Sequence, residues 1–162
     1  MKPKETKTLA ILSALIIIAA VTASQGEPNK NSKAAEQAVL ARLSEIQAAA
    51  ERLDAEKVFT FVLENDAGML AQNGLLFLTR KEALESTKAG FQNLQKLEYR
   101  FDQQHVTLLS PTIALATGEG TASATRRDSQ TINTRFAQSV LLLLTNGEWK
   151  VFHAHRSFPP AK

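Results

Sequence analysis

The densest chemistry in this chain lies in Gly147-Glu148-Trp149-Lys150-Val151-Phe152-His153-Ala154-His155-Arg156-Ser157, a segment launched by an Asn146-Gly147 turn. A histidine titrates near neutrality and can carry a proton, while an arginine holds carboxylates through paired N–H donors. In a strand, residues two apart share a face. Ideal alternation puts Trp149, Val151, His153, His155 and Ser157 on one side and Lys150, Phe152, Ala154 and Arg156 on the other. His153 and His155 would then stand about 7 Å apart, and a zinc site would need a third protein ligand. His105 or Glu119 can supply one, but their spacing does not demand it, so neither a metal nor a cofactor is expected.

General acid–base chemistry at His153 is the sharper hypothesis. Asp66, in a turn, can orient such a histidine or simply cap local amides. Glu119 sits between Gly118 and Gly120 and shares its parity with Thr117, Thr121 and Ser123. That polar run can line a wet cavity or form a solvent-facing stripe. Tyr99, the single tyrosine, and Trp149, the single tryptophan, read as packing residues.

The elements that must position these groups are legible from periodicity. From Ser32 to Arg52, Ala35, Val39, Leu43, Ile46 and Ala50 recur at helical steps, continued by Leu53. Asp54 can cap a second helix carrying Val58, Phe61 and Val62 and ending near Asn65-Asp66. A brief strand around Met69 to Ala71 stops at Asn73-Gly74. Thr79-Arg80-Lys81-Glu82 fits a capping box for a third helix through Ala83, Leu84, Thr87 and Phe91. After Gln95 the period turns to alternation, which predicts strands over Tyr99–Leu109, Thr112–Thr125, Thr131–Thr145 and Glu148–Phe158. Helices followed by a meander make an α+β domain with the helices on one face of a curved sheet. Leu141 to Leu144 is apolar on both faces, which predicts helices on one side of that strand and a second copy of the chain on the other.

The N-terminus carries a separate message. Lys2, Lys4 and Lys7 precede an apolar run from Leu9 to Val21, and Val21-Thr22-Ala23 offers small residues at a signal-peptidase spacing. We expect a signal peptide over residues 1–23, cleaved after Ala23, and a periplasmic or secreted protein. The alternative is an inner-membrane anchor over residues 8–23, although the run falls short of the about 20 apolar residues that a span needs. Ser24 to Ser32 reads as a flexible leader, and residues 33–160 as one domain. The chain has no cysteine, so disulfide and thiol chemistry are excluded. Much of the formal charge of +3 belongs to the N-terminal lysines, and the Arg126-Arg127 pair is too little for a nucleic-acid footprint.

The order of elements, closed by the Gly147–Ser157 strand, resembles the nuclear transport factor 2-like superfamily. That group includes SnoaL-like cyclases, ketosteroid isomerases and the association domain of calcium/calmodulin-dependent protein kinase II. Leu53-Asp54-Ala55-Glu56-Lys57-Val58 and Asn65-Asp66-Ala67 resemble its second-helix region. Trp149, His153, His155, Arg156, Ser157 and Pro160 resemble the final strand of the kinase association domain. The resemblance implies a cone-shaped α+β barrel, N-terminal helices packed in a curved antiparallel mixed sheet, with a cavity at its mouth. It implies that the His153 side faces that cavity. Arg156 reaches it only if the strand twists or bulges, although the matching arginine of the kinase domain does line the cavity. The other pocket arginines of that domain fall near Gly118 and Val140. The isomerase base, tyrosine and acid fall near Ala71, Gln47 and Ala137, so that mechanism is not expected. What remains is an exported homodimer binding a small molecule through His153, His155, Arg156, Glu119 and Ser157. The alternatives are a lyase, isomerase or cyclase using His153 with Asp66, and an assembly module without a working cavity.

Overall fold

The computed structural model describes residues 30–66 and 68–159. The expected signal segment, its cleavage position and most of the expected leader therefore lie outside the described residues. No helix among those described is long and apolar enough to cross a membrane.

Helix α1 spans Lys30–Glu51, starting two residues ahead of the expected Ser32. Its stripe is the expected one: Val39 and Leu43 are buried, and Ala35 and Ile46 pack beside them. The Asp54 side chain accepts from the Lys57 amide at 2.9 Å and starts α2, Ala55–Thr60. This helix ends well before the expected Asn65-Asp66. The reason is a competing partner for its backbone: Leu63 N donates to Val151 O, and Val151 N donates to Phe61 O. Residues 61–63 thus run against the final strand instead of continuing the helix.

Strands β1 (Leu70–Gln72) and β2 (Leu75–Phe77) form a hairpin. Its turn residues Asn73 and Gly74 both have positive φ, 54° and 75°, as a tight two-residue hairpin turn requires. The second strand of this hairpin was not anticipated. The capping box at Thr79 is present and opens α3, Arg80–Gln92. Its Thr79 hydroxyl accepts from the Glu82 amide at 3.2 Å, while Glu82 accepts from the Leu78 and Thr79 amides. Thr79→Ala should therefore lower stability by about 1 kcal/mol, read as a lower denaturant midpoint with an unchanged slope.

The meander follows as β3 (Leu94–Ser110), β4 (Ile113–Arg126), β5 (Thr131–Thr145) and β6 (Glu148–Ser157). The six strands lie in the order β2-β1-β6-β5-β4-β3, with β1 parallel to β6 and the remaining pairs antiparallel. The sheet curves around the helices and stays open, giving the expected α+β cone without closure into a barrel. Val39 and Leu43 of α1 pack onto Ala114, Ala116, Val140, Leu142, Trp149 and Val151. The alanines of β4 lack bulk, so the helix can lie close to the middle of the sheet. A second cluster, Ala55, Phe59, Met69, Ala83 and Leu84, fixes the two short helices to the β1 hairpin.

Of the four register shifts among the described residues of the sheet, at Gln95, Asp102, Leu109 and Phe152, two set the faces that the rows around Arg156 present. In β3 the pairing passes from Phe101↔Gly120 to Gln103↔Glu119, leaving Asp102 as an extra residue. In β6 it passes from Leu142↔Val151 to Leu141↔His153, leaving Phe152 as the extra residue. An extra residue in one strand reverses the parity of everything beyond it.

Candidate functional site

Beyond Phe152 the alternation of β6 is inverted relative to the ideal pattern. Trp149 and Val151 pair with Leu144 and Leu142, so they share the inner face. After the bulge it is Ala154 and Arg156 that continue this face, opposite Val140 and Gln138. His153, His155 and Ser157 instead pair with Leu141, Ser139 and Ala137 on the outer row. The expectation that the His153 side faces the cavity is thus corrected for His153 and Ser157, while His155 still adjoins its edge. The bulge is the very condition under which Arg156 was expected to reach it.

A cavity of about 410 Å³ lies between the concave face of the sheet, the three helices and the β1–β2 hairpin. Its walls are largely apolar, with Phe59, Phe77, Phe91 and Phe101 among them. One polar row crosses its floor. Gln72 of β1 pairs with Arg156 of β6, which pairs with Gln138 of β5, then Gly118 of β4 and Gln104 of β3. The next row, Leu70, Ala154, Val140, Ala116 and Val106, is wholly apolar. Much of the polarity of the floor is therefore gathered in this one line, with Tyr99 of β3 and His155 of β6 beside it.

Arg156 is the centre of that line. Its Nη1 donates to Tyr99 Oη at 3.0 Å and its Nη2 to Gln138 Oε1 at 2.9 Å. Its guanidinium carbon lies 5.1 Å from the centre of the Tyr99 ring and 5.4 Å from that of Phe136. Such stacking suits a planar, weakly hydrated cation. Tyr99 and Phe136 themselves meet edge-to-face at 5.8 Å. Among the described residues no carboxylate pairs with Arg156, and no aspartate, glutamate or lysine lines the cavity. The guanidinium is held by neutral partners only.

The other sequence-derived candidates lie elsewhere. His153 Nδ1 sits 2.7 Å from the Gly68 carbonyl oxygen. A carbonyl only accepts, so this nitrogen carries the proton. His155 is exposed and adjoins the cavity. Asp66 is exposed and does not line it. Ser157 is exposed, with its hydroxyl 3.5 Å from the Ala137 carbonyl. Glu119 belongs to the outer stripe, where it accepts from Gln103 at 2.9 Å and faces Arg135 at 3.6 Å. Of the predicted site residues only Arg156 and His155 therefore meet the cavity. Tyr99, Gln138, Gln72 and Gln104 were missed. Tyr99 was read as packing, and the glutamines carry no signal until register aligns them across five strands. Among the described residues no cluster of three metal-ligating side chains is formed.

A second hollow of about 610 Å³ lies on the surface between α1, α2 and the start of β6. Although larger, it is the lesser candidate, because much of its charge is paired within the chain. Arg42 contacts Glu45 at 2.8 Å and Glu148 at 3.7 Å, and Lys150 contacts Glu148 at 2.9 Å. The Lys150 hydrogen bond, then its charge and that of Arg42, hold the Glu148 carboxyl below its ordinary range.

The sequence from residue 39 to residue 161 matches the SnoaL-like domain. The chain belongs to the SnoaL-like family. Solved structures of the nuclear transport factor 2-like type share this fold. A superfamily protein from Salmonella enterica serovar Typhimurium superposes with a TM-score of 0.73 at 15% identity, covering 81% of this chain and 95% of that one. A ketosteroid isomerase-like protein from Erwinia carotovora atroseptica gives 0.65 at 17% identity, with coverages of 77% and 96%. A hexachlorocyclohexane dehydrochlorinase from Novosphingobium barchaimii gives 0.68 at 10% identity, with coverages of 80% and 90%. At these identities the likeness establishes the SnoaL-like cone alone. No curated protein matches the sequence.

Proposed function

We propose that this SnoaL-like protein is an exported homodimer whose concave cavity binds a small molecule bearing a carboxylate or a comparable anionic group. The observation that carries the reading is Arg156, a cation held by neutral partners in a largely apolar cavity. Ligand sites are commonly apolar hollows with a few placed polar groups, and about 300–1,000 Å³ is their usual size. A cavity of about 410 Å³ falls within that range. An anion entering it would gain a charge-assisted contact without first displacing an internal carboxylate.

The same geometry favours binding over proton-transfer chemistry. Among the described residues no carboxylate lines the cavity to work beside a histidine, and His153 is tethered to backbone on the outer row. The dimer rests on the outer face of the sheet. There Leu115 pairs with Leu141 and Ile113 with Leu143, making a block of half-buried aliphatic side chains around His153. Export rests on the basic, apolar and small-residue succession at the N-terminus.

Native mass spectrometry of protein purified from its own cell envelope tests these points together. The expected result is a dimer of chains beginning after Ala23 with a retained small acid, and His153→Ala should keep that acid. A monomer at micromolar concentration would remove the dimer, and loss of the acid in His153→Ala would return the site to that histidine.

A further inference from the structure

Arg156 does more than supply charge. A guanidinium carries donors and no acceptor. Because Nη1 donates to Tyr99 Oη, the phenolic proton cannot point back at Arg156 and must serve another acceptor. Because Nη2 donates to Gln138 Oε1, the amide of Gln138 is fixed with its oxygen towards Arg156 and its NH₂ turned away. Both partners line the cavity. Among the described residues, neither the Tyr99 hydroxyl proton nor the Gln138 amide protons meet an internal acceptor. The cation has thereby converted two side chains that can both donate and accept into outward-facing donors.

We infer that the cavity selects an acceptor-only, singly charged head group, an organic carboxylate on an apolar body, and that Tyr99 and Gln138 join Arg156 in reading it. This deepens the binding reading above and rests on it. Among the described residues Arg156 is the one arginine or lysine of the lining, which matches a monoanion. A phosphate monoester would bring a second charge and a tetrahedral set of oxygens, for which no second cation is provided. An ammonium group would meet like charge and donors. Stacking over Tyr99 and Phe136 holds the guanidinium fork in place, so little ordering remains to be done when the head group arrives. Gln47, which also lines the cavity, has its Oε1 available as an acceptor. Its nitrogen is committed to Glu51 at 3.0 Å and to the Tyr99 carbonyl at 3.1 Å. That oxygen suits a hydroxyl elsewhere on the ligand better than its head group.

The test is calorimetric titration of the purified protein with four probes sharing one ring system: 2-naphthoate, 2-naphthyl phosphate, 2-naphthylmethylamine and uncharged 2-methylnaphthalene. We expect naphthoate to bind at least tenfold more tightly than the phosphate, the amine and the uncharged probe. Tyr99→Phe keeps the ring beneath Arg156 and removes only the hydroxyl. It should weaken naphthoate about tenfold, as expected for a hydrogen bond to a charged group, and leave 2-methylnaphthalene unchanged. Gln138→Glu places a carboxylate against Arg156 and should weaken naphthoate tenfold or more. If Arg156→Ala weakens naphthoate while Tyr99→Phe and Gln138→Glu leave it untouched, the binding reading stands and this inference falls. The same holds if the phosphate binds as tightly as the carboxylate. If Arg156→Ala changes nothing, or no probe binds up to millimolar concentration, the reading of the cavity falls and the inference with it.

Discussion

Arg156→Ala is expected to lower the affinity of the cavity for an arene carboxylate such as 2-naphthoate by about 10- to 100-fold. Hydrogen bonds to charged groups contribute about 1.5–3 kcal/mol, and about 1.4 kcal/mol corresponds to a factor of ten. The substitution removes the charge and also frees Tyr99 and Gln138 to reorient, because both are oriented by Arg156. Arg156→Lys separates the two effects. An ammonium keeps the charge but cannot reach both oxygens with a planar fork while lying flat over the Tyr99 and Phe136 rings. It should restore only part of the affinity. Folding stability should fall far less than binding, since Arg156 is only partly buried and lies apart from the main aliphatic core. Calorimetric titration paired with chemical denaturation would show the contrast, and full affinity in Arg156→Ala would contradict the assignment.

The largest effect on stability is expected from Gly120→Ala. A methyl group there would collide with the Arg100 carbonyl oxygen and stand 2.9 Å from Phe101 Cα. Both obstacles are backbone, drawn close by the bulge at Asp102, and cannot rotate aside as a side chain would. Overpacking ordinarily costs about 1–3 kcal/mol, and a backbone collision at a buried position should reach the top of that range or exceed it. Domains of this size are stable by only about 5–15 kcal/mol in total, so a visible fall in melting temperature is expected. Gly90→Ala is the matched opposite. Gly90 lies within α3 and has nothing within 4 Å of its missing Cβ, so alanine there should stabilise by about 0.5–1 kcal/mol. Equal effects at the two positions would mean that the approach of β3 to β4 is not as close as described.

These two sites mark different depths of legibility. Gly118 and Gly120 are plain in the sequence as glycines inside a strand pattern, which commonly signal a bulge or a close backbone approach. The bulge itself lies in the partner strand, at Asp102, where no residue type announces it. In the same way the closing strand was evident from its alternation and its Asn146-Gly147 start. Its division into two faces was not, because alternation carries no mark of the extra residue at Phe152.

The sequence by itself determined the three helices, the four-strand meander and the caps at Asp54 and Thr79, and its resemblance to a known family gave the α+β cone. The helices, strands and caps rest on local period and capping chemistry, which act within a few residues. Only the tertiary structure decided which side chains meet the cavity. One extra residue in β6 carries Arg156 inward and His153 outward. Register across β1, β6, β5 and β3 then brings Gln72, Gln138 and Gln104 into line with it. Strand register is set by pairing between distant segments, so a run such as His153-Ala154-His155-Arg156 shows which groups are at hand but not the face on which each acts.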